Sequence, residues 1–292
     1  MKSNTTYEDI GRYVAEAAEP QAAPDGKTYY VISLKATGSI SSSRSVPPIE
    51  VEITALKQGV IPCRYLRNIG TIGPDGQVEL LQSTVAVVGA GGLGGTVIEL
   101  LARQGIGHLI IIDNDHFAEQ NLNRQIMSTE KNLGKYKVTV AAKRVQEINS
   151  ATTVTTFRQR LTGETAQSLL GGARVVVDGL DNLSSRLVVE QACRQLAIPY
   201  VYASIAGFSG QLMTIFPGDV GLSSLYGSSS DTVPEQGVET GIGNPPGTAA
   251  MIAALQVQEV VKIIAGVGTP IRNQILLVDA REFTIDRIEL GR

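Results

Sequence analysis

Apolar residues in this chain gather in short runs that alternate with stretches of helical spacing. Val85-Ala86-Val87-Val88 and Leu109 to Ile112 are uninterrupted, and Ala173 to Val177 is broken only by Arg174, as suits strands buried on both faces. Between them, Val97, Ile98, Leu100 and Leu101, and then Val138, Ala141, Ala142 and Val145, recur at the spacing of a helix with one buried face. Val154 to Arg158 reads as a further strand, and Thr165 to Leu170 and Ser184 to Leu196 as helices. Tyr200 to Ser204 and Gln211 to Phe216 are joined by a short glycine-containing loop, which predicts antiparallel pairing. Gly247 to Ala265, almost wholly apolar at first, predicts a buried helix, with Gln274 to Asp279 and Phe283 to Leu290 as the last strands. Strands alternating with helices predict a doubly wound α/β sheet, helices on both faces, made mixed by its last strands.

The pattern weakens before Arg64. Tyr7, Ile10, Val14 and Ala17 share a helical face that Pro20 is expected to end, and Gln21 to Gly26 reads as a linker. Thr28 to Leu34 and Ile49 to Ala55 look like strands flanking a Gly/Ser-rich loop, Gly38 to Ser45. Residues 1–60 are therefore a small N-terminal extension whose role the sequence does not assign, and 61–292 the main domain. A turn at Gly73-Pro74-Asp75-Gly76 precedes its first core strand. Residues 217–246 lack periodicity, and a loop that long inside a domain is usually functional or disordered.

Candidate chemistry collects at the strand ends. The first core strand runs into Gly89-Ala90-Gly91-Gly92-Leu93-Gly94 and then a helix. Gly89, Gly91, Gly92 and Gly94 leave no side chain between a phosphate and the backbone N–H groups at the positive end of that helix. Asp113, at the tip of the second strand, is suited to ribose hydroxyls. Such a Rossmann-like unit makes NAD the first hypothesis. Asn121-Leu122-Asn123-Arg124-Gln125 argues otherwise, because an amide and a guanidinium just beyond the ribose acid suit a terminal phosphate. In Gly134-Lys135-Tyr136-Lys137, Lys137 points back toward the nucleotide and Lys135 reads as a solvated charge. Asp178-Gly179-Leu180-Asp181-Asn182 ends another strand; one carboxylate there suits Mg²⁺, and Asp181 is alternatively a helix cap.

Composition narrows the picture. The 292 residues are 43% apolar, enough for a full core, and the net charge of −3 gives no electrostatic footprint for nucleic acid. No signal core or membrane span is evident, so a cytoplasmic protein is expected. Cys63 and Cys193 read as free thiols, His108 and His116 as structural, and no CxxC or Cys/His cluster suggests a zinc site.

Taken together, GAGGLG at 89–94, DND at 113–115, NLNRQ at 121–125, GKYK at 134–137 and DGLDN with Arg186 resemble the MoeB/ThiF/HesA family, bacterial relatives of ubiquitin-activating enzymes. The likeness runs from about Arg64 to Leu290. It implies a homodimeric adenylyltransferase that uses ATP and Mg²⁺ to activate the C-terminal Gly-Gly carboxylate of a small β-grasp carrier, typically a sulfur carrier for molybdopterin or thiamin synthesis. By position, Asp113 would hold the ribose, Asn121, Arg124 and Lys137 the phosphates, and Asp181 the magnesium. Arg67, in Arg64-Tyr65-Leu66-Arg67-Asn68, would reach into the neighbouring subunit's site, and 217–246 would clamp the carrier's tail. The chain departs from the family in two places. Gly221-Leu222-Ser223-Ser224 stands where members often carry the first of two zinc CxxC pairs, so dimer packing is expected to replace the metal. Thr232 to Gly237 stands where some relatives have a carrier-accepting cysteine, so no covalent cysteine step is expected. The alternatives are a related ATP-dependent enzyme acting on a small molecule or tRNA, and an NAD-dependent oxidoreductase.

Overall fold

A computed structural model describes residues 4–22, 26–227 and 239–291. The first 60 or so residues build a compact module. Helix α1 (Asn4–Ala17) leads to β1 (Glu19–Ala22), β2 (Thr28–Ile32), α2 (Leu34–Arg44), α3 (Pro48–Lys57) and β3 (Val60–Pro62). The strands form one sheet in the order β1-β2-β3. Ile10 and Val14 of α1 are buried against Ile32, Ile40, Val51 and Ala55, so the module has its own core.

Three expectations for this region are corrected. The helix α1 stops at Ala17, and Pro20 lies in β1, an edge strand where a missing N–H is tolerated. The Gly/Ser-rich stretch is helix α2: Ser33 caps it by accepting the Ala36 N–H at 3.2 Å, and Thr37 and Ile40 supply a buried face. The stretch Ile49 to Ala55 is helical, not extended. Pro48 pre-sets the first turn of α3, and burial of Val51, Ile53, Ala55 and Leu56 outweighs the β preference of its branched residues.

The main domain opens with α4 (Leu66–Leu81), broken at Gly73 (φ 69°) ahead of Pro74, so the expected turn is a kink inside a helical run. Then follow β4 (Thr84–Val88), α5 (Gly92–Gln104), β5 (His108–Ile112), α6 (Lys137–Ile148), β6 (Thr153–Phe157), α7 (Ala166–Leu170), β7 (Val175–Asp178) and α8 (Leu183–Gln195). The chain ends through β8 (Tyr200–Ala206), β9 (Ser209–Ile215), α9 (Leu222–Tyr226), α10 (Glu239–Ile242), α11 (Pro246–Ala265), β10 (Gln274–Asp279) and β11 (Thr284–Glu289).

Eight strands form one sheet in the order β11-β10-β9-β8-β7-β4-β5-β6, parallel from β8 to β6 and antiparallel from β8 to β11. Alternation along the strands sorts side chains to the two faces. Val85, Val87, Leu109, Ile111, Val175 and Val177 pack toward α5, α6 and α11. Ala86, Val88, Ile110, Ile112 and Val176 pack toward α7 and α8. This is the expected doubly wound mixed sheet with helices on both faces. Helix α11 is long and apolar enough to span a bilayer, yet Ile252, Ala253, Val257, Val260 and Ile264 bury its face against the sheet.

The N-terminal module joins the main domain through buried polar groups. Glu52 is 1% exposed; its Oε1 lies 3.3 Å from Arg64 Nε, and its Oε2 accepts from the Tyr65 hydroxyl at 3.2 Å. That hydroxyl accepts from Asn149 Nδ2 at 2.9 Å, and Arg64 also donates to Asn149. Burial raises the Glu52 pKa, against the opposing charge of Arg64. With the folded value above the unfolded one, the stability this group contributes is complete below the ordinary glutamate range and is lost as pH rises through the folded value. Glu52→Gln, which cannot ionise, should therefore gain on the wild type as pH rises from about 4 to about 7. Denaturant unfolding of both proteins at the two pH values checks this; a constant difference would refute it.

Candidate active site

The order of the parallel strands fixes where a ligand can sit. The chain builds outward from β4 to β5 and β6, then returns to place β7 on the other side of β4 and β8 beyond it. The β4 and β7 ends therefore diverge, and the crevice at such a switch point is where doubly wound sheets bind ligands. A pocket occupies it, lined by Gly89, Gly91 and Gly92 after β4, Asp113 and Asp115 after β5, and Gly179 to Asn182 after β7.

The glycine turn is shaped by backbone packing as much as by space for phosphate. Gly89 has φ 94°, which glycine adopts without strain. A Cβ on Gly94 would lie 1.8 Å from the Gly89 carbonyl oxygen, and one on Gly89 would lie 2.4 Å from the Gly179 oxygen. Three turns thus meet with no room for a side chain. Gly94 does not itself line the pocket; it lets α5 start close under Gly89. By contrast, a Cβ on Gly92 meets only ordinary contacts, 3.6 Å from Arg124 Cγ and 3.8 Å from Ala249 Cβ.

Asp113 braces this turn. Its Oδ2 accepts the Ala90 N–H at 2.7 Å and its Oδ1 the Asp115 N–H at 2.7 Å. Burial raises its pKa, opposed by the Ala90 hydrogen bond and the Lys137 charge. Lys137, at the start of α6, is 7% exposed, and its Nζ lies 3.1 Å from Asp115 Oδ2. Arg124 lines the same pocket, its Nη1 donating to the Gln120 carbonyl at 3.0 Å and Asn123 Oδ1 at 2.9 Å. Asp181 lines it from the far side, exposed, with Oδ1 accepting from Asn182 Nδ2 at 3.2 Å. The cap of α8 is Asn182, whose side chain accepts the Ser185 N–H at 2.9 Å, so the alternative reading of Asp181 as the cap falls to its neighbour.

Two more expected residues, besides Gly94, lie outside the pocket. Asn121 is buried and its Oδ1 accepts the Ala118 N–H at 2.9 Å, so it shapes the loop that carries Arg124. Arg67 is exposed on α4 and does not line this subunit's pocket. Other pocket residues carry little sequence signal. Gln125 is 5% exposed with Oε1 unpaired among the described residues, and Asn244 Oδ1 is likewise buried and unpaired. The neighbouring NLNR motif marked the region of Gln125; nothing marked Asn244, which an Asn123 hydrogen bond to its carbonyl at 3.2 Å draws in. Arg186 also lines the pocket, 3.1 Å from the fully buried Asp178 and donating to the Leu180 carbonyl at 2.6 Å. This holds the turn that carries Asp181.

The segment Gly221 to Ser224 is tied down by side chains. The Leu222 N–H donates to Glu190 Oε2 at 2.8 Å, and Arg194 donates to the carbonyls of Pro217 at 3.0 Å and Asp219 at 2.8 Å. Arg272 holds Asp219 through two bonds of 2.6 and 2.8 Å, which lowers the Asp219 pKa. Among the described residues no group of three or more His, Cys, Asp or Glu is arranged for a metal. Thr232 to Gly237, read as lacking a carrier-accepting cysteine, lies outside the described residues.

A switch-point pocket with a glycine turn, a braced acid and cations opposite a carboxylate is suited to a nucleotide-dependent transferase. Residues 65–292 match the ThiF family, and the chain belongs to that family. It is 33% identical over 229 residues to the SAMP-activating enzyme E1 of Haloferax volcanii, covering 77% of this chain and 84% of that one. It is 35% identical over 211 residues to the sulfur carrier protein ThiS adenylyltransferase of Escherichia coli, covering 71% and 83%. The sulfur carrier protein adenylyltransferase of Thermus thermophilus is 33% identical over 241 residues, covering 78% and 87%. The chain is accordingly an adenylyltransferase, and the oxidoreductase and tRNA alternatives are not favoured. Among solved structures, E. coli MccB with ATP superposes with a TM-score of 0.68 at 22% identity, over 100% of this chain and 89% of that one, a likeness of fold.

The glycine geometry yields a pair of expectations. Gly94→Ala should destabilise the fold by about 2 kcal/mol or more, because backbone must move to relieve the clash. Gly92→Ala should keep near-native stability while weakening nucleotide binding, since its methyl enters the pocket. Denaturant unfolding and nucleotide titration of both variants separate the two roles; equal stabilities would contradict the interlocked turns.

Proposed function

We propose that this enzyme uses ATP and Mg²⁺ to adenylylate the C-terminal Gly-Gly carboxylate of a small β-grasp sulfur carrier, acting as a homodimer in the cytoplasm and without a covalent cysteine intermediate. The observation that carries this reading is the convergence of the glycine turn, Asp113, Arg124, Lys137 and Asp181 on one pocket. The names of the relatives support a carrier as substrate. The two free cysteines support a mechanism without a cysteine intermediate: Cys193 is buried with its pKa pushed up to about 12, and Cys63 lies outside the pocket with its pKa also raised by burial. Neither is poised as a thiolate nucleophile.

In the proposed reaction a carboxylate oxygen of the carrier bonds to the α-phosphorus as the bond to the bridging oxygen breaks and pyrophosphate leaves. That carboxylate is already ionised at neutral pH, so no general base is needed, and catalysis is positioning and charge neutralisation. Backbone N–H groups at the start of α5 and the Arg124 and Lys137 side chains face the phosphates, and Asp113 faces the ribose. Asp181 is the carboxylate suited to magnesium, which takes one or two carboxylates plus phosphate oxygens and, when bound, adds divalent charge beside the phosphates. The exposure of Arg67 suits the role of reaching into a second subunit's site.

ATP with Mg²⁺ at 100 times its dissociation constant should add about 2.7 kcal/mol to the native state, visible as a thermal shift, and NAD should add none. Stabilisation by NAD alone would overturn the reading. Arg124→Ala and Asp181→Ala should abolish carrier-dependent pyrophosphate exchange with the fold intact, whereas Cys63→Ser with Cys193→Ser should retain it. Loss of exchange in the folded double mutant would refute the mechanism without a cysteine.

A further inference from the structure

The charge of Lys137 is largely withdrawn from water, its side chain being 8% exposed, and a buried ammonium is costly unless it is paired. Its partner is Asp115, 3.1 Å away, and Asp115 is itself fixed at both backbone ends. The Asp115 N–H donates to Asp113 Oδ1 at 2.7 Å, and its carbonyl accepts the Lys137 N–H, at the start of α6, at 3.0 Å. One residue thus joins the ribose acid, the first turn of α6 and the lysine that faces the phosphates. The carboxylate of Asp115 is 59% exposed. Water screens its repulsion toward a triphosphate, while the buried ammonium it holds has little water to turn to instead.

We infer that Asp115 is a positioning residue for Lys137: it holds the ammonium toward the pocket so that incoming phosphates meet a preformed cation. Lys137 has three donors, enough to keep Asp115 and reach a phosphate oxygen together. The inference rests on the phosphate role of Lys137 proposed above. The rival account, that Asp115 competes with phosphate for the lysine, predicts the opposite sign.

The test is calorimetric titration of a nonhydrolysable ATP analogue with Mg²⁺, and of adenosine, into wild type, Asp115→Ala, Lys137→Ala and the double variant. Asp115→Ala should weaken analogue binding about tenfold, leave adenosine binding unchanged, and have no further effect once Lys137 is alanine. Tighter or unchanged analogue binding in Asp115→Ala, an equal loss for adenosine, or additive effects in the double variant would each overturn the inference. If Lys137→Ala alone leaves analogue affinity unchanged, the phosphate role of Lys137 fails and the inference falls with it. If Lys137→Ala weakens binding and Asp115→Ala does not, only the inference falls.

Discussion

The structure depends on a close meeting of backbones at the switch point of the sheet. Gly89 and Gly179, at the ends of neighbouring strands, and Gly94, in the first turn of α5, approach so closely that a methyl group on Gly89 or Gly94 would strike carbonyl oxygen. Ladder hydrogen bonds carry the strands up to this meeting: Gly89 N–H to Ile112 carbonyl at 2.8 Å and Gly179 N–H to Val88 carbonyl at 2.7 Å. The same absence of side chains that lets the turns interlock leaves N–H groups open to a phosphate. Stability and binding therefore draw on one constraint, and substitutions at Gly92 and Gly94 separate them only because Gly94 packs against the Gly89 carbonyl and Gly92 lines the pocket.

Charge is organised outward from that contact. Asp113 couples the glycine turn to the segment that starts α6, and Asp178 with Arg186 fixes the opposite turn, which carries Asp181. The Gln256 amide of α11 donates to the carbonyls of Asp178 at 2.8 Å and Val201 at 3.2 Å, so the third wall of the crevice is held from beneath by a core helix. Buried charges cost free energy unless paired and hydrogen-bonded, and both acids meet that condition with protein groups in place before any ligand arrives. Preorganisation of this kind suits a reaction that needs charge stabilisation more than proton transfer.

The core strands were legible because burial on both faces demands continuous Val, Ile and Leu, and no helix of ordinary amphipathicity shows such runs. Gly89, Gly91, Gly92, Asp113, Lys137 and Asp181 were legible because each follows a strand end or opens a helix at a spacing chemistry requires, and Arg124 because it stands in the Asn121-to-Gln125 motif. Gly179 was not, since its need for a bare Cα arises from a partner some 90 residues earlier in the chain. Asn121 was ambiguous for a related reason: an amide three residues before an arginine suits a phosphate and a turn equally, and here its Oδ1 is taken by the turn. Helices α2 and α3 were hidden by serines and β-branched residues whose local preferences lose to a shared core with α1.

Gly221 to Ser224, the stretch that the resemblance sets against a zinc CxxC pair with Gly221 and Ser224 at its two cysteine positions, is fixed here by side chains. Zinc would fix a loop end by coordinate bonds; here Glu190, Arg194, Asp219 and Arg272 fix it by charge-assisted hydrogen bonds drawn from α8 and the approach to β10. All of these groups lie in the same chain as the segment they hold. The far end of the same connection is held by the Gly207 N–H donating to the Gly243 carbonyl at 2.8 Å and by Asn123 on Asn244. The two ends of the connection are thus pinned at opposite ends of β8 and β9, with the Gly243–Asn244 end at the pocket side. Because the pins are ionic and not metal-based, chelators should leave them intact, whereas high salt or acid strong enough to protonate Asp219 should loosen the 217–222 end first.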